Sequence, residues 1–273
     1  AGIATPIATW DEFLQQAKKL TKDVDGDGKI DQWALGVAKD HPGWFQQLLL
    51  QRGGGFFNKN GDVIIDNEIG VSVLKFYVDL IHKYKVALPI ADAFMAPGMS
   101  YYKEGKVAST FSASWWGHYF LQTFCPEQKG KWRIQALPKW KEGGYRTATW
   151  GGTAFGVTMQ SKYPEFVWQF LKYAWVSKQS QVRKFQITRD TTPVIGALKD
   201  PILMEVSDPY YGGQNVGKLW CELGLEVPPL YVSPMYTELD TLLTDNFVDV
   251  VEQKVAPREF LHSIAEDIRA KIR

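Results

Sequence analysis

The sequence VASTFSASWWG, from Val107 to Gly117, places an apolar, β-prone run directly before two tryptophans and a glycine. The pattern predicts a buried strand over residues 107–111 and a helix that follows the tryptophans. Ligands of α/β folds bind where the carboxyl end of a strand turns into a helix. We therefore expect one ring of the pair Trp115 and Trp116 to face a binding site and the other to pack in the core.

Aromatic residues next to glycine or proline recur elsewhere in the chain, which contains 11 tryptophans in 273 residues. Trp44 follows Pro42-Gly43, Trp150 precedes Gly151-Gly152, and Tyr236 follows Pro234 by two positions. Each ring by itself also fits simple packing. Their recurrence at turns and element ends favours ligand binding, because such positions are accessible and glycine lets the backbone come close. A flat indole suits a hydroxylated, flat-faced ligand such as a sugar.

The bulk composition indicates a soluble globular chain of more than one domain or lobe. The chain is 45% hydrophobic and 22% charged, and its formal net charge is +1. This balance argues against a nucleic-acid-binding protein, which would carry a basic stripe, and against a polybasic membrane-surface protein. No apolar run approaches the ~20 residues of a membrane span.

Periodicity predicts an α/β fold in which helices dominate and short strands are interspersed. A helix is expected to begin at Pro164 and to pack several apolar residues inward, namely Phe166, Trp168, Phe170, Leu171 and Ala174. Strands are expected at residues 33–37, 107–111, 131–137 and 154–159.

Motifs of phosphate binding, of serine hydrolases and of zinc proteases do not occur in the sequence. The four histidines, His41, His82, His118 and His262, are scattered, and even His118 beside the paired tryptophans is best explained as an ordinary residue. No pair of carboxylates is marked as a glycosidase pair. We therefore expect a protein that is not an enzyme and needs no cofactor for function.

The segment from Asp23 to Asp31 resembles a calcium-binding loop. Acidic residues stand at loop positions one, three, five and nine (Asp23, Asp25, Asp27 and Asp31), and Lys29 would supply a carbonyl oxygen. Ala34 occupies position twelve, where the bidentate glutamate belongs, so a ligand would have to come from elsewhere. Two interpretations remain open: a structural calcium site and a solvated Asp/Gly turn.

The two cysteines, Cys125 and Cys221, show no CxxC spacing and no neighbouring histidine cluster, so zinc is not expected. Their sequence positions fit one disulfide bond and two buried thiols equally well.

Short blocks follow one another along essentially the whole chain. They are Ala1-Gly2-Ile3 with Thr9-Trp10-Asp11-Glu12-Phe13, the Asp25 to Asp31 loop, Glu104 to Ala108, Gly151-Gly152, Ser161-Lys162 with Trp168 to Leu171, Asp200-Pro201 and Pro257 to Leu261. In this order they resemble the extracellular solute-binding proteins that deliver sugars to ABC importers, the family that contains maltose-binding protein.

The resemblance implies a type II periplasmic-binding-protein fold with two lobes that close on a sugar. It also implies that the chain is a C-terminal portion, with a largely complete C-terminal lobe and most of the N-terminal lobe missing. Residues 1–149 would form the first pass through the C-terminal lobe. Residues 150–190 would be a strand and helix of the N-terminal lobe, and residues 191–273 would return to the C-terminal lobe.

The resemblance further implies which residues bind the ligand. Trp115 matches the stacking tryptophan of the family, and Trp116 adds a second ring beside it. The remaining candidates are Trp44, Trp150, Gly151, Gly152, Tyr236 and, more weakly, Arg189. Ser114 replaces the proline that precedes this tryptophan in maltose-binding protein, so the identity of the ligand stays open.

The expected function is non-catalytic binding of a sugar or oligosaccharide for an ABC importer. The implied partners are the sugar and the membrane permease subunits, with no nucleic acid. We expect a monomer outside the cytoplasm, in the periplasm or lipid-anchored at the outer face of the membrane. The alternatives are a carbohydrate-active enzyme and a binding protein for a non-sugar solute.

Overall fold

The computed structural model describes residues 2–3 and 5–272, and it divides the chain into two compact units. Unit 1 comprises Ala1–Ser112, Leu137–Trp150 and Pro228–Arg273, and unit 2 comprises Ala113–Ala136 and Gly151–Val227. The expected boundary at 149/150 lies one residue from an observed one. The segments 113–136 and 191–227, however, group with residues 151–190 rather than with unit 1. Ala1, which begins the family resemblance, lies outside the described residues.

The described residues form helices joined by long irregular segments and a few short strands. In chain order the elements are α1 (Trp10–Leu20), β1 (Leu35–Ala38), α2 (Gly43–Gln51), α3 (Glu68–His82), β2 (Ala87–Ile90), α4 (Ala96–Lys103), α5 (Ser114–Trp116), a π turn (Gly117–Leu121), α6 (Gln122–Phe124), α7 (Pro164–Val176), α8 (Lys178–Thr188), α9 (Ile195–Leu198), α10 (Pro201–Met204), β3 (Ser207–Asp208), β4 (Gln214–Asn215), α11 (Val216–Leu225), α12 (Tyr236–Val251) and α13 (Pro257–Ile272).

A small parallel sheet lies in the core of unit 1. Strands β1 and β2 pair in register from Leu35 with Ala87 to Ala38 with Ile90, and α2 and α3 connect them. Every residue of β1 and of α2 is buried. The strand expected over residues 107–111 is reduced to one bridge between Trp33 and Val107 and one further hydrogen bond, so the prediction of a full strand there was wrong.

Unit 2 is built from short helices around a core that includes Phe185, Leu198, Leu203 and Cys221. The expected strands at 131–137 and 154–159 do not form, because a strand needs a backbone partner and neither segment has a partner strand among the described residues. The backbone of Ile134 is bonded instead by the side chain of Gln214, at 2.9 Å to its amide and 2.6 Å to its carbonyl.

Helix α7 carries a broad apolar surface that is exposed. No residue of α7 is buried, and Phe166 and Phe170 are 77% and 60% exposed. The expectation that its apolar residues pack inward was therefore wrong for unit 2. The helix itself was located correctly, because proline at its first position and apolar spacing are local signals.

Cys125 and Cys221 are both buried and are not joined by a disulfide, so the thiol interpretation is correct. None of the helices within residues 5–272 combines the length and apolar character needed to cross a membrane.

Asp66 attaches the last helix of unit 1 to the segment that precedes α3. Its carboxylate is 13% exposed and accepts hydrogen bonds from Arg269 at 2.7 and 2.9 Å and from His262 at 3.2 Å. Burial by itself would raise the pKa of Asp66, but the bonds from Arg269 and His262 outweigh it and hold the pKa below its ordinary value of 3.8.

Replacing Asp66 with asparagine is expected to lower the free energy of unfolding at neutral pH by about 1.5–3 kcal/mol, because Arg269 loses its ionised partner. Because the folded-state pKa is depressed, the ionised group contributes stability above pH 3.8, and the contribution is lost as the pH falls through the folded pKa. Urea denaturation at several pH values measures both effects. Glu68→Gln is the control, since its ion pair with Arg258 is exposed and should contribute less than about 1 kcal/mol.

Candidate functional site

Four aromatic rings of unit 1 meet at the start of α2. Trp44 and Trp150 lie 4.7 Å apart between ring centroids, Phe94 lies 5.6 Å from Trp150, and His41 lies 5.8 Å from Trp150. We call these four residues the ring cluster. The four residues come from three distant parts of the sequence, so the cluster is a tertiary feature of unit 1.

Gly43 explains how Trp150 is held in the ring cluster. A Cβ added at Gly43 would overlap the Trp150 ring, so the indole packs directly against the backbone of α2. Trp44 is only 1% exposed, and its indole N–H donates to Thr110 at 3.2 Å. Trp150 is partly exposed. The structure thus places Trp44 behind the surface, while part of the Trp150 indole is accessible to solvent.

Two polar groups were not singled out by the sequence: His41, a member of the ring cluster, and Asp240 on α12, which acts on the pKa of His41. The backbone N–H of Gly43 donates to His41 Nδ1 at 3.0 Å. Burial lowers the pKa of His41 from its ordinary value of 6.5, and Asp240 and Asp40 offset this only in part. Burial raises the pKa of Asp240, against the opposing effect of His41. Both side chains are half-buried.

Tyr236 lies at the first position of α12, one helical turn before Asp240. Its partly buried hydroxyl accepts a hydrogen bond from the Gln46 side chain, and its ring lies 5.6 Å from that of Phe56. The proline-flanked position thus holds a fixed tyrosine on the same helix as Asp240. The signal that could have drawn attention to Asp240 is this i to i+4 spacing from Tyr236.

In unit 2 the paired tryptophans begin a short helical segment, residues 114–124, that contains a π turn. Trp116 is 3% exposed and packs inside the unit, whereas Trp115 is partly exposed. Of the two arrangements open to the sequence, the structure therefore has Trp115 outward and Trp116 inward. A π turn inside a helix is frequent at functional sites, where the extra residue redirects side chains.

Ser114 fixes the start of this segment. Its hydroxyl accepts from the Thr191 backbone N–H at 3.2 Å and lies 3.3 Å from the Thr191 hydroxyl. The serine that departs from the proline of maltose-binding protein thus connects the tryptophan pair to the chain near Asp190. Thr191 was not among the predicted residues, because nothing local in the sequence marks it.

Gly151 and Gly152 are exposed and have left-handed backbone conformations, with φ values of +100° and +127°. A Cβ at Gly151 would lie 3.8 Å from the indole nitrogen of Trp115. The structure therefore brings Gly151 and Trp115 together, and positive φ accounts for the glycines.

Arg189 uses its side chain within unit 2. It adopts φ +60° at the end of α8, donates to the carbonyls of Phe185 and Gln186, and lies 3.8 Å from Asp208. These contacts cap a helix end, where a cation is favourable. Arg189 therefore has a structural role within unit 2.

Asp190, the residue after Arg189, lies beside the π turn. Tyr119 Oη is 3.4 Å from its carboxylate. Burial raises the pKa of Asp190, while Lys184, His118 and Tyr119 oppose the shift.

Three of the residues predicted to bind calcium lie close together in the acidic loop, residues 23–31. Carboxylate oxygens of Asp23, Asp25 and Asp27 lie within 4.8 Å of one another on the surface. Asp31 accepts instead from the Val24 amide at 2.7 Å, and the Lys29 ammonium lies 3.4 Å from Asp27. Such oxygens suit Ca²⁺, but they also bond loop amides, as an Asp/Gly turn does. Calcium binding here stays a prediction.

The α/β fold and these aromatic surfaces agree with one class of protein. The chain belongs to the family of bacterial extracellular solute-binding proteins, whose sequence model matches residues 1–179. This confirms the family that the sequence blocks indicated.

Two curated relatives are both named arabinooligosaccharide-binding protein. The one from Halalkalibacterium halodurans is 30% identical over 272 residues, which cover 97% of this chain and 59% of the relative. The one from Bacillus subtilis is 27% identical, with 97% and 61% covered. The chain thus spans about three-fifths of the length of these relatives.

Solved structures confirm the periplasmic-binding-protein fold. The maltose/maltodextrin-binding domain MalE from Bdellovibrio bacteriovorus, bound to maltotriose, matches with a TM-score of 0.73 and 21% identity. The match covers 99% of this chain and 68% of that one.

Proposed function

We propose that this chain is part of an extracytoplasmic binding protein that captures a sugar oligomer, of the arabino-oligosaccharide class, for an ABC importer. The observation that carries the proposal is Trp150, a partly exposed indole packed onto Gly43, with the His41 ring 5.8 Å from it. An apolar ring with a few polar groups beside it is how proteins recognise sugars and similar ligands. The names of the two relatives support the ligand class.

The second part of the proposal concerns non-catalytic action and partners. The relatives are named as binding proteins, which supports binding without catalysis. Family membership supports a location outside the cytoplasm and delivery to permease subunits in the membrane. Lipid anchoring stays a prediction.

The third part concerns a second lobe. We propose that residues 150–190 belong to a lobe whose remainder corresponds to the part of the relatives that this chain does not span. The exposed apolar surface of α7 supports this, because soluble proteins rarely leave a large contiguous apolar surface uncovered.

The test is a titration of the full-length gene product with arabino-oligosaccharides, malto-oligosaccharides and the matching monosaccharides. We expect saturable quenching or enhancement of tryptophan fluorescence and measurable heat in calorimetry, strongest for the arabino-oligosaccharides, with the sugar recovered unchanged. A folded protein, verified by circular dichroism, that responds to no sugar of the panel would refute sugar binding. Recovery of shortened sugars would favour the enzyme alternative.

A further inference from the structure

His41 presents a hydrogen-bond donor in a defined direction. Because Gly43 donates to Nδ1 at 3.0 Å, the neutral imidazole carries its proton on Nε2. Within residues 5–272 no hydrogen bond to Nε2 is found, and burial favours the neutral form of the ring. The Nε2–H group is therefore available to an acceptor on a ligand.

Asp240 presents the complementary acceptor. In the described part of the chain its carboxylate makes no hydrogen bond and no ion pair. Asp240 stands on α12 one helical turn after Tyr236, whose hydroxyl accepts from Gln46 of α2, so the start of α12 lies beside the helix that begins next to His41. Consistent with this position, Asp240 and His41 each act on the pKa of the other. A half-buried carboxylate without a partner is costly, and a ligand that donates to it removes that cost.

The surroundings of this pair limit the ligand's chemistry. Phe94 and Trp150 contribute uncharged rings at 5.6 and 5.8 Å from His41. The charged groups that affect the pKa of His41 are Asp240 on α12 and Asp40, which precedes His41 in the sequence. The Asp40 carboxylate accepts a hydrogen bond from the Asp92 amide at 2.8 Å. Two carboxylates disfavour an anion, and a donor beside an acceptor fits hydroxyl groups, which both donate and accept.

We propose that His41 Nε2–H and the Asp240 carboxylate bind hydroxyl groups of a neutral sugar held against Trp150, and that protonation of His41 weakens this binding. The inference rests on the proposed function. It adds the two residues that recognise the sugar, His41 and Asp240, and the pH dependence of sugar binding.

The direction of the effect follows from the bonds that protonation breaks. A proton on Nδ1 opposes the Gly43 N–H and removes the bond that orients the ring. The imidazolium also attracts Asp240 and so competes with the ligand for the carboxylate. Since binding and protonation are linked, a ligand that further buries His41 lowers the pKa of His41. The affinity for the sugar should be constant above the pKa of His41 in the unliganded protein, which lies below 6.5. It should fall as the pH decreases through that pKa.

The experiment is calorimetry of the full-length gene product with the best oligosaccharide of the panel, from about pH 7.5 to about pH 5. We expect the wild-type affinity to fall by up to roughly 10-fold per pH unit at the acid end, the limit for one proton. His41→Gln removes the oriented Nε2–H donor and the titrating ring, so its affinity near pH 7.5 should fall below that of the wild type, and the decrease in affinity that His41 causes at acid pH should disappear. Asp240→Asn should weaken binding roughly 10-fold, and because Asp240 raises the pKa of His41, the loss of affinity should begin at a lower pH than in the wild type.

His262→Gln is the matched control, because His262 is an exposed histidine on α13, and its profile should follow the wild type. Nitrogen NMR of the His41 ring provides a readout independent of sugar and should show the Nε2–H tautomer. The inference fails if sugar binds but His41→Gln keeps the wild-type pH profile, or if Asp240→Asn leaves affinity unchanged. If no sugar binds at any pH, the proposed function itself fails.

Discussion

Trp150→Ala is expected to weaken sugar binding by about 2 kcal/mol or more, roughly 30-fold in Kd. The ring is the partly exposed indole of the ring cluster, and its removal deletes the apolar face while Trp44 stays buried behind it. Calorimetry with the best oligosaccharide measures the loss. The effect should exceed that of Asp240→Asn, because truncating an aromatic anchor removes its whole contact area.

Two further variants distinguish the effect of removing the Trp150 ring from the effect of displacing it. Trp150→Phe keeps an aromatic face and should recover most of the affinity. Gly43→Ala keeps the indole but inserts a methyl group where the ring packs, so it should displace Trp150 and weaken binding markedly. Circular dichroism verifies that each variant folds. Unchanged affinity in Trp150→Ala would show that the ligand binds elsewhere.

Local signals in the sequence were sufficient for much of the secondary structure. Thr9 precedes Glu12 by three positions, the spacing of a capping box, and the Glu12 amide donates to the Thr9 hydroxyl at 3.1 Å. The Glu12 carboxylate accepts from the amide of Ala8 at 2.9 Å, where an ideal capping box would use the amide of Thr9. Asn60-Gly61, a dipeptide typical of tight turns, likewise lies in a turn that brings Phe57 and Val63 together in one antiparallel bridge. These features depend on neighbours within a few residues, which the sequence displays directly.

Strands and burial depended on distant residues and were predicted less well. An apolar run such as 154–159 satisfies a strand pattern, but a strand forms only where a partner backbone lies beside it. Likewise, the flanking glycine and proline marked Trp44 and Trp150 alike, and only the packing of unit 1 shows that Trp44 is buried.

The polar residues of the candidate site could also be predicted only in part from the sequence. His41 stands directly before Pro42-Gly43-Trp44, so its position beside a ring was visible in the sequence. The electrostatic effect of Asp240 on His41 was not visible there, because α12 lies at the other end of the chain.

Substitution of Phe166 and Phe170 by glutamate should have a small effect on stability in one form of the protein and a large effect in another. Both side chains lie one helical turn apart on the exposed surface of α7. In the chain of 273 residues the double variant should change the free energy of unfolding by no more than about 0.5 kcal/mol, as for other exposed positions. It should also bind less of a dye that reports exposed apolar surface.

In the full-length gene product the same double variant should be destabilised by several kcal/mol, because a second lobe that covers α7 would bury both rings, and losing a buried phenylalanine costs about 3–5 kcal/mol. Urea denaturation of both forms makes the comparison. Lys172→Glu on the same helix is the control for added negative charge. A small effect in both forms, or a gene product in which α7 stays exposed, would contradict the proposed second lobe. A large effect confined to the longer form would show that α7 has an intramolecular partner there.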